Sequence, residues 1–120
     1  MAKTVLTVDD SSSVRQMVSF TLRTAGYDVV EAENGRAALE RLNSPLHLVI
    51  TDLNMPEMDG MELIRQIRAG TRQKYVPIVL LTTESQDAKK QEARAAGASG
   101  WITKPFRPEQ LLAVVKRVLG

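Results

Sequence analysis

Short apolar runs alternate with helix-like stretches five times along this chain, and that alternation restricts the fold more than any other feature. The runs are 4–8, 28–32, 46–51, 76–82 and 99–103, and most are dense in Val, Ile, Leu and Thr. Runs of that length and composition read as strands, and near-continuous apolarity means burial on both faces. The stretches between them carry apolar residues at three- and four-residue steps, the period of a helix packed on one side. Strands regularly alternating with helices predict an α/β fold, a five-stranded parallel sheet covered on both faces by five helices. Right-handed crossovers restrict the winding further.

The punctuation agrees with this division. Ser11-Ser12-Ser13 is a helix start, and Val14, Met17, Val18, Leu22 and Ala25 are expected to form the buried face that follows, with Gly26 as the closing cap. Asn34-Gly35 opens a second helix and Asn43-Ser44-Pro45 ends it. Pro56 and Asp59-Gly60 mark a turn before a third helix carrying Leu63, Ile64 and Ile67, which stops near Gly70. The fourth helix, 86–96, has alanines but no large aliphatic or aromatic residue. Pro108-Glu109 opens the fifth, expected to bury Leu111, Leu112, Val115, Val118 and Leu119.

Composition removes several function classes. At 120 residues the chain is expected to be one domain spanning 1–120, and its 43% hydrophobic and 25% charged shares are those of a water-soluble protein. The absence of cysteine excludes disulfides, thiolate metal sites and a thiol nucleophile. No stretch is apolar enough to span a bilayer and Met1-Ala2-Lys3-Thr4 runs into a strand without a signal peptide, so the expected location is cytoplasmic, with no membrane partner. A net charge of +2 without a basic tract gives no nucleic-acid partner, and Lys89, Lys90 and Arg94 read as a solvated helix face. His47 is the one histidine and is read as structural.

In a parallel sheet every strand ends at the same edge, where open α/β sheets bind their ligands. The residues expected at that edge are Asp9, Asp10, Asp52, Thr82 and Lys104. Two carboxylates ~5 Å apart repel by about 3 kcal/mol at an effective dielectric near 20. Three of them together need a cation or must keep a proton. Hard oxygen donors suit Mg²⁺, which binds one or two carboxylates and then a phosphate. Thr82 and Lys104 supply a hydroxyl and an ammonium for phosphoryl oxygens, and a carboxylate can itself accept the phosphoryl group.

Four segments together carry a specific resemblance: VDDSSSVR after the first strand, DLNMPEMDG after the third, LLTTE at the fourth and AGASGWITKPF through the fifth. From end to end the chain resembles the receiver domain of two-component response regulators, in its single-domain, CheY-like form without an output domain. The strand order 2-1-3-4-5 is implied by that resemblance, CheY being a known instance of it. The resemblance further implies Asp52 as phospho-acceptor, with Thr82 as switch hydroxyl and Lys104 as the phosphate-binding lysine. Asp10 and Asp52 match the side-chain Mg²⁺ ligands, Asp9 their partner acting through water, and Asn54 the backbone-carbonyl ligand. Lys104-Pro105 matches a peptide bond usually cis in the family. Trp101 holds the aromatic switch position where Tyr or Phe is usual, and an indole needs more room to turn inward. Thr83 stands where a small residue, often Ala, is usual, and adds bulk at the mouth of the site.

The implied partners are a histidine kinase as phosphodonor, a protein output target such as a flagellar motor or pilus component, and a phosphatase. The implied species is a monomer that catalyses its own phosphorylation and dephosphorylation, a signalling protein rather than an enzyme. A phosphorelay intermediate or a phosphate sink is the alternative. A dehalogenase-type phosphatase needs a second acid two residues after its nucleophile, where this chain has Asn54. A flavodoxin needs a hydroxyl-rich phosphate loop after the first strand, where Asp9-Asp10 would repel the phosphate.

Overall fold

The computed structural model describes residues 2–83 and 85–120. Met1, and Glu84 at the end of the LLTTE segment, lie outside the described residues. The elements alternate as β1 Thr4–Val8, α1 Ser12–Thr24, β2 Asp28–Ala32, α2 Gly35–Glu40 with a tighter turn at Arg41–Asn43, β3 Leu48–Asp52, α3 Gly60–Ala69, β4 Ile78–Thr82, α4 Asp87–Ala96, β5 Gly100–Thr103 and α5 Pro108–Leu119. The strands form one parallel sheet in the order β2-β1-β3-β4-β5. Among the described residues no helix is long and apolar enough to cross a membrane.

Alternation along the strands divides the core into two layers. Leu6, Val8, Val49, Ile78 and Leu80 face α2, α3 and α4, meeting Ala38, Leu63, Ile64, Ile67 and Ala93. Val5, Leu48, Ile50, Val79, Leu81 and Ile102 face α1 and α5, meeting Val18, Leu22, Leu111 and Val115. Every residue of β3 and of β4 is buried, as central strands covered on both sides must be.

Helix starts follow the capping chemistry in the sequence. Ser11 Oγ accepts from the Val14 N–H, Asn34 Oδ1 from Ala37 and Asp59 Oδ1 from Glu62. The third and fourth strands start two residues later than the apolar runs suggested, at Leu48 and Ile78; in the fourth, Pro77 has no N–H for the ladder. The inner face of α1 also differs from expectation: Met17 is 43% exposed and Ala25 is exposed, whereas Ser19 is buried. Ser19 Oγ lies 3.4 Å from Thr7 Oγ1, so a polar residue takes an inward position that a hydrophobic pattern cannot reveal. In α5, Leu111 and Val115 are fully buried, while Leu112, Val118 and Leu119 are half-buried.

Candidate functional site

Asp52 ends β3 in a rigid seat. Its carbonyl accepts from Thr51 Oγ1 at 3.0 Å. The first residue of α3, Gly60, presses against that same carbonyl: a Cβ there would stand 2.6 Å from the Asp52 oxygen and 2.8 Å from Leu80 Cδ2. Only glycine permits that approach. Gly60 N–H then donates to the Leu53 carbonyl at 2.8 Å, closing the loop that follows the strand. Leu53 and Met55 are buried in the α2–α3–α4 layer, and Asn54 between them is exposed at the rim. The Met58-Asp59-Gly60 segment is thus turn and helix start, as its sequence reads.

Asp9 and Asp10 follow β1, the neighbour of β3, so their carboxylates reach Asp52 across one strand spacing. The three acids each bring a ligand oxygen within 4.8 Å of the others. Asp9 is buried, Asp52 is 7% exposed and Asp10 is open to solvent. Asp9 Oδ1 accepts from the Ser11 N–H at 2.9 Å, while its Oδ2 is buried without a hydrogen bond. Such an atom is expected to have a partner.

Lys104 enters from the end of β5. Its backbone N–H donates to the Thr82 carbonyl at 2.7 Å, tying it to β4. Its Nζ lies 3.3 Å from Asp52 Oδ1 and 3.5 Å from Asp9 Oδ2. The Lys104-Pro105 peptide is cis, and Phe106 beyond it packs against the α1–α5 layer. Burial, then the charge of Asp9, raise the Asp52 carboxyl above the usual range, and Lys104 opposes both. Three carboxylates against one ammonium leave the site with two negative charges. Hard oxygens, an unbonded buried carboxylate oxygen and that charge balance fit a small divalent cation.

Thr82 is buried at the end of β4, one residue beyond Leu81, the β4 residue in register with Asp52. Thr83, the residue after it, is exposed. Trp101 pairs in register with Leu80 and is half-buried against the α2–α3–α4 layer, beside a hollow of about 100 Å³ edged by Lys90, Ala93 and Arg94. Thr82 and Leu80 lie two apart on one strand and share a sheet face, so Thr82, Leu80 and Trp101 form a row on the α4 side. His47 stands apart at the opposite end of β3, exposed, its Nδ1 accepting from the Thr4 N–H at 2.9 Å. The structure thus gathers Asp9, Asp10, Asp52 and Lys104, places Thr82 at the same edge and leaves Asn54 on the rim. It also adds Arg15, the last residue of VDDSSSVR, whose Nη1 donates to the Asp9 carbonyl at 2.6 Å and to which the sequence reading gave no role.

Comparisons with known proteins bear on the family and the fold. Residues 5–116 match the family model described as the response regulator receiver domain. The chain is 44% identical over 119 residues to the chemotaxis protein CheY1 of Helicobacter pylori strain J99, covering 97% of this chain and 96% of that protein. It is 42% identical to a chemotaxis protein CheY homolog of Campylobacter jejuni, over 97% of this chain and 92% of the relative. A solved structure of the Vibrio cholerae chemotaxis protein CheY4 superposes with a TM-score of 0.95 at 48% identity, covering 99% of this chain and all of that one.

Proposed function

This chain belongs to the response regulator receiver family, a family of two-component signalling, and we propose that it is a phosphorylation switch. Receiver domains take a phosphoryl group from histidine kinases and act on targets. One observation carries the assignment of the acceptor here: the Asp52 carboxylate is seated at the strand end with Lys104 Nζ at 3.3 Å and two further acids beside it. A carboxylate oxygen of Asp52 attacks the phosphorus of a phosphohistidine, the P–N bond breaks, and the imidazole leaves with that electron pair. Lys104 is within reach of phosphoryl oxygens on Asp52 and offsets their charge. Asp9, Asp10 and Asp52, with the Asn54 carbonyl, would hold Mg²⁺, whose chemistry is to neutralise charge on the transferring phosphoryl group. Hydrolysis of the aspartyl phosphate resets the protein.

The signal leaves along the row Thr82, Leu80, Trp101. Drawing Thr82 toward the phosphoryl oxygens frees room on the face that Trp101 shares, and the surface of α4, β5 and α5 changes there. This biases a two-state element by a change of charge. The relatives' names place them in chemotaxis, and the same type of pathway suits this chain, with a protein output target.

Incubation with a small acyl phosphate such as acetyl phosphate and Mg²⁺ tests both halves of the proposal. Wild type should take up one phosphoryl group, the label mapping to Asp52, and Asp52→Asn should take up none. The emission of Trp101, the only tryptophan, should shift on phosphorylation, and Thr82→Ala should weaken the shift while leaving Asp52 labelled. Full labelling of Asp52→Asn would remove Asp52 as acceptor. An unshifted indole in fully labelled protein would move the output to another surface.

A further inference from the structure

Asp9 is held at both of its backbone torsions. Its N–H donates to the Ala32 carbonyl at the end of β2 at 3.2 Å, which fixes the Val8-Asp9 peptide. Its carbonyl accepts from Arg15 Nη1 at 2.6 Å, which fixes the Asp9-Asp10 peptide. Arg15 is itself clamped: its Nε donates to Glu31 Oε1 at 3.0 Å, and its side chain is 17% exposed. The other oxygen of Glu31 faces Arg23 Nη2 at 3.5 Å. A charged strut therefore runs from α1 to β2 and ends on the peptide that joins two of the three acids.

We propose that Arg15 is a positioning residue for the acidic site. By fixing the plane of the Asp9-Asp10 peptide it holds both carboxylates beside Asp52, and Glu31 holds Arg15. The proposal rests on reading the three acids as a divalent-cation site. Without a clamp the acids would separate, because they repel and because Asp10 stands on an exposed turn. Spread ligands bind a cation that demands short, regular oxygen contacts less well. A guanidinium spans two separated acceptors with different nitrogens of one rigid plane, whereas an ammonium must reach both from a single nitrogen.

Charge alone makes the opposite forecast. Arg15 is a cation near the site, so removing it deepens the negative potential and should tighten a divalent cation. The sign of the change separates the two accounts. Mg²⁺ affinity measured by calorimetry on the metal-free full chain is the readout, with unfolding midpoints recorded alongside. Wild type should bind and Asp10→Asn should bind more weakly, which tests the site itself. Arg15→Gln should bind Mg²⁺ about tenfold more weakly, the lower end of the loss seen when the supports of metal ligands are removed. Arg15→Lys keeps the charge and the fold but loses the two-point bridge, and should also be weakened. Arg23→Gln touches Glu31 but not Asp9, and should bind as wild type does. Equal or tighter binding in folded Arg15→Gln overturns the positioning role. Should that variant not fold, unchanged binding in Arg15→Lys overturns it equally. A wild type that takes up no Mg²⁺ overturns the cation site, and the proposal with it.

Discussion

Burial and the neighbouring Asp9 carboxylate push the Asp52 carboxyl above its usual range, and Lys104 at 3.3 Å does not fully cancel them. In the unfolded chain the same group ionises near 3.8, so the unfolded state gives up its proton first as pH rises. Ionised Asp52 therefore costs folding free energy above its raised value, and the cost vanishes below the ordinary carboxylate range. Asp52→Asn, in chelator, should be more stable than wild type at neutral pH, by on the order of 1 kcal/mol. The gap should close as pH falls through the raised value toward 3.8. Denaturant midpoints of both proteins from about pH 8 to 4 measure it. A gap independent of pH would mean that packing, not charge, separates the two proteins. At this scale the sequence was legible where chemistry and strand ends coincide, as at Asp9, Asp52 and Lys104. Arg15 and Ser19 were not legible. A helical Arg reads as solvated until Glu31 is brought beside it, and Ser19 reads as surface until Thr7 faces it.

Among the elements, α4 has the least to hold it. Of its residues only Ala93 is buried, as a run without large apolar side chains had indicated. Its two ends are anchored unequally. The C-terminal end closes on Gly97 at φ +116°, where a Cβ would stand 2.7 Å from Arg68 Nε. Arg68 Nε and Nη2 donate to the Gly97 carbonyl at 3.2 and 2.7 Å, and its Nη1 donates to the carbonyls of Lys74 and Val76 at 2.9 and 2.6 Å. A cation at a helix C-terminus also complements the helix dipole. At the N-terminal end Asp87, Ala88 and Lys89 are all exposed. Motion of α4 should therefore be largest near Asp87 and smallest near Gly97. Amide hydrogen exchange should show protection rising along the helix toward Gly97 and Ala98. Arg68→Met should flatten that rise and lower stability by about 1–3 kcal/mol, because it takes the donor from the part-buried carbonyls of Gly97 and Val76. Uniform protection in wild type would refute a helix held at one end. The weakness of α4 was legible from its alanines, but its anchor was not, since Arg68 lies 29 positions away from Gly97.

For the molecule as a whole, alternation of strand and helix was enough to give the architecture, because central strands must be apolar on both faces. The split into two layers follows from strand parity and was legible as well. The strand order came from family likeness, since hydrophobic pattern alone does not say which strands are neighbours. The whole-molecule arrangement also puts all the candidate chemistry at one edge of the sheet and the first and last described elements together at the other. There Lys3 Nζ donates to the Leu119 carbonyl at 3.1 Å, so the start of β1 and the end of α5 touch. Chain continuity and function are thereby separable. A circular permutant joining Gly120 to Ala2 through a short flexible linker, and opened in the exposed turn at Thr71-Arg72, should keep the fold. Its Mg²⁺ affinity should stay within about threefold of the uncut protein, a shift below 1 kcal/mol. A permutant that folds but no longer binds Mg²⁺ would show that the site depends on tension carried through the sheet from the far edge. If binding is kept, the receiver can be spliced into another protein by two adjacent strands of linker, with its reactive edge facing away from the host.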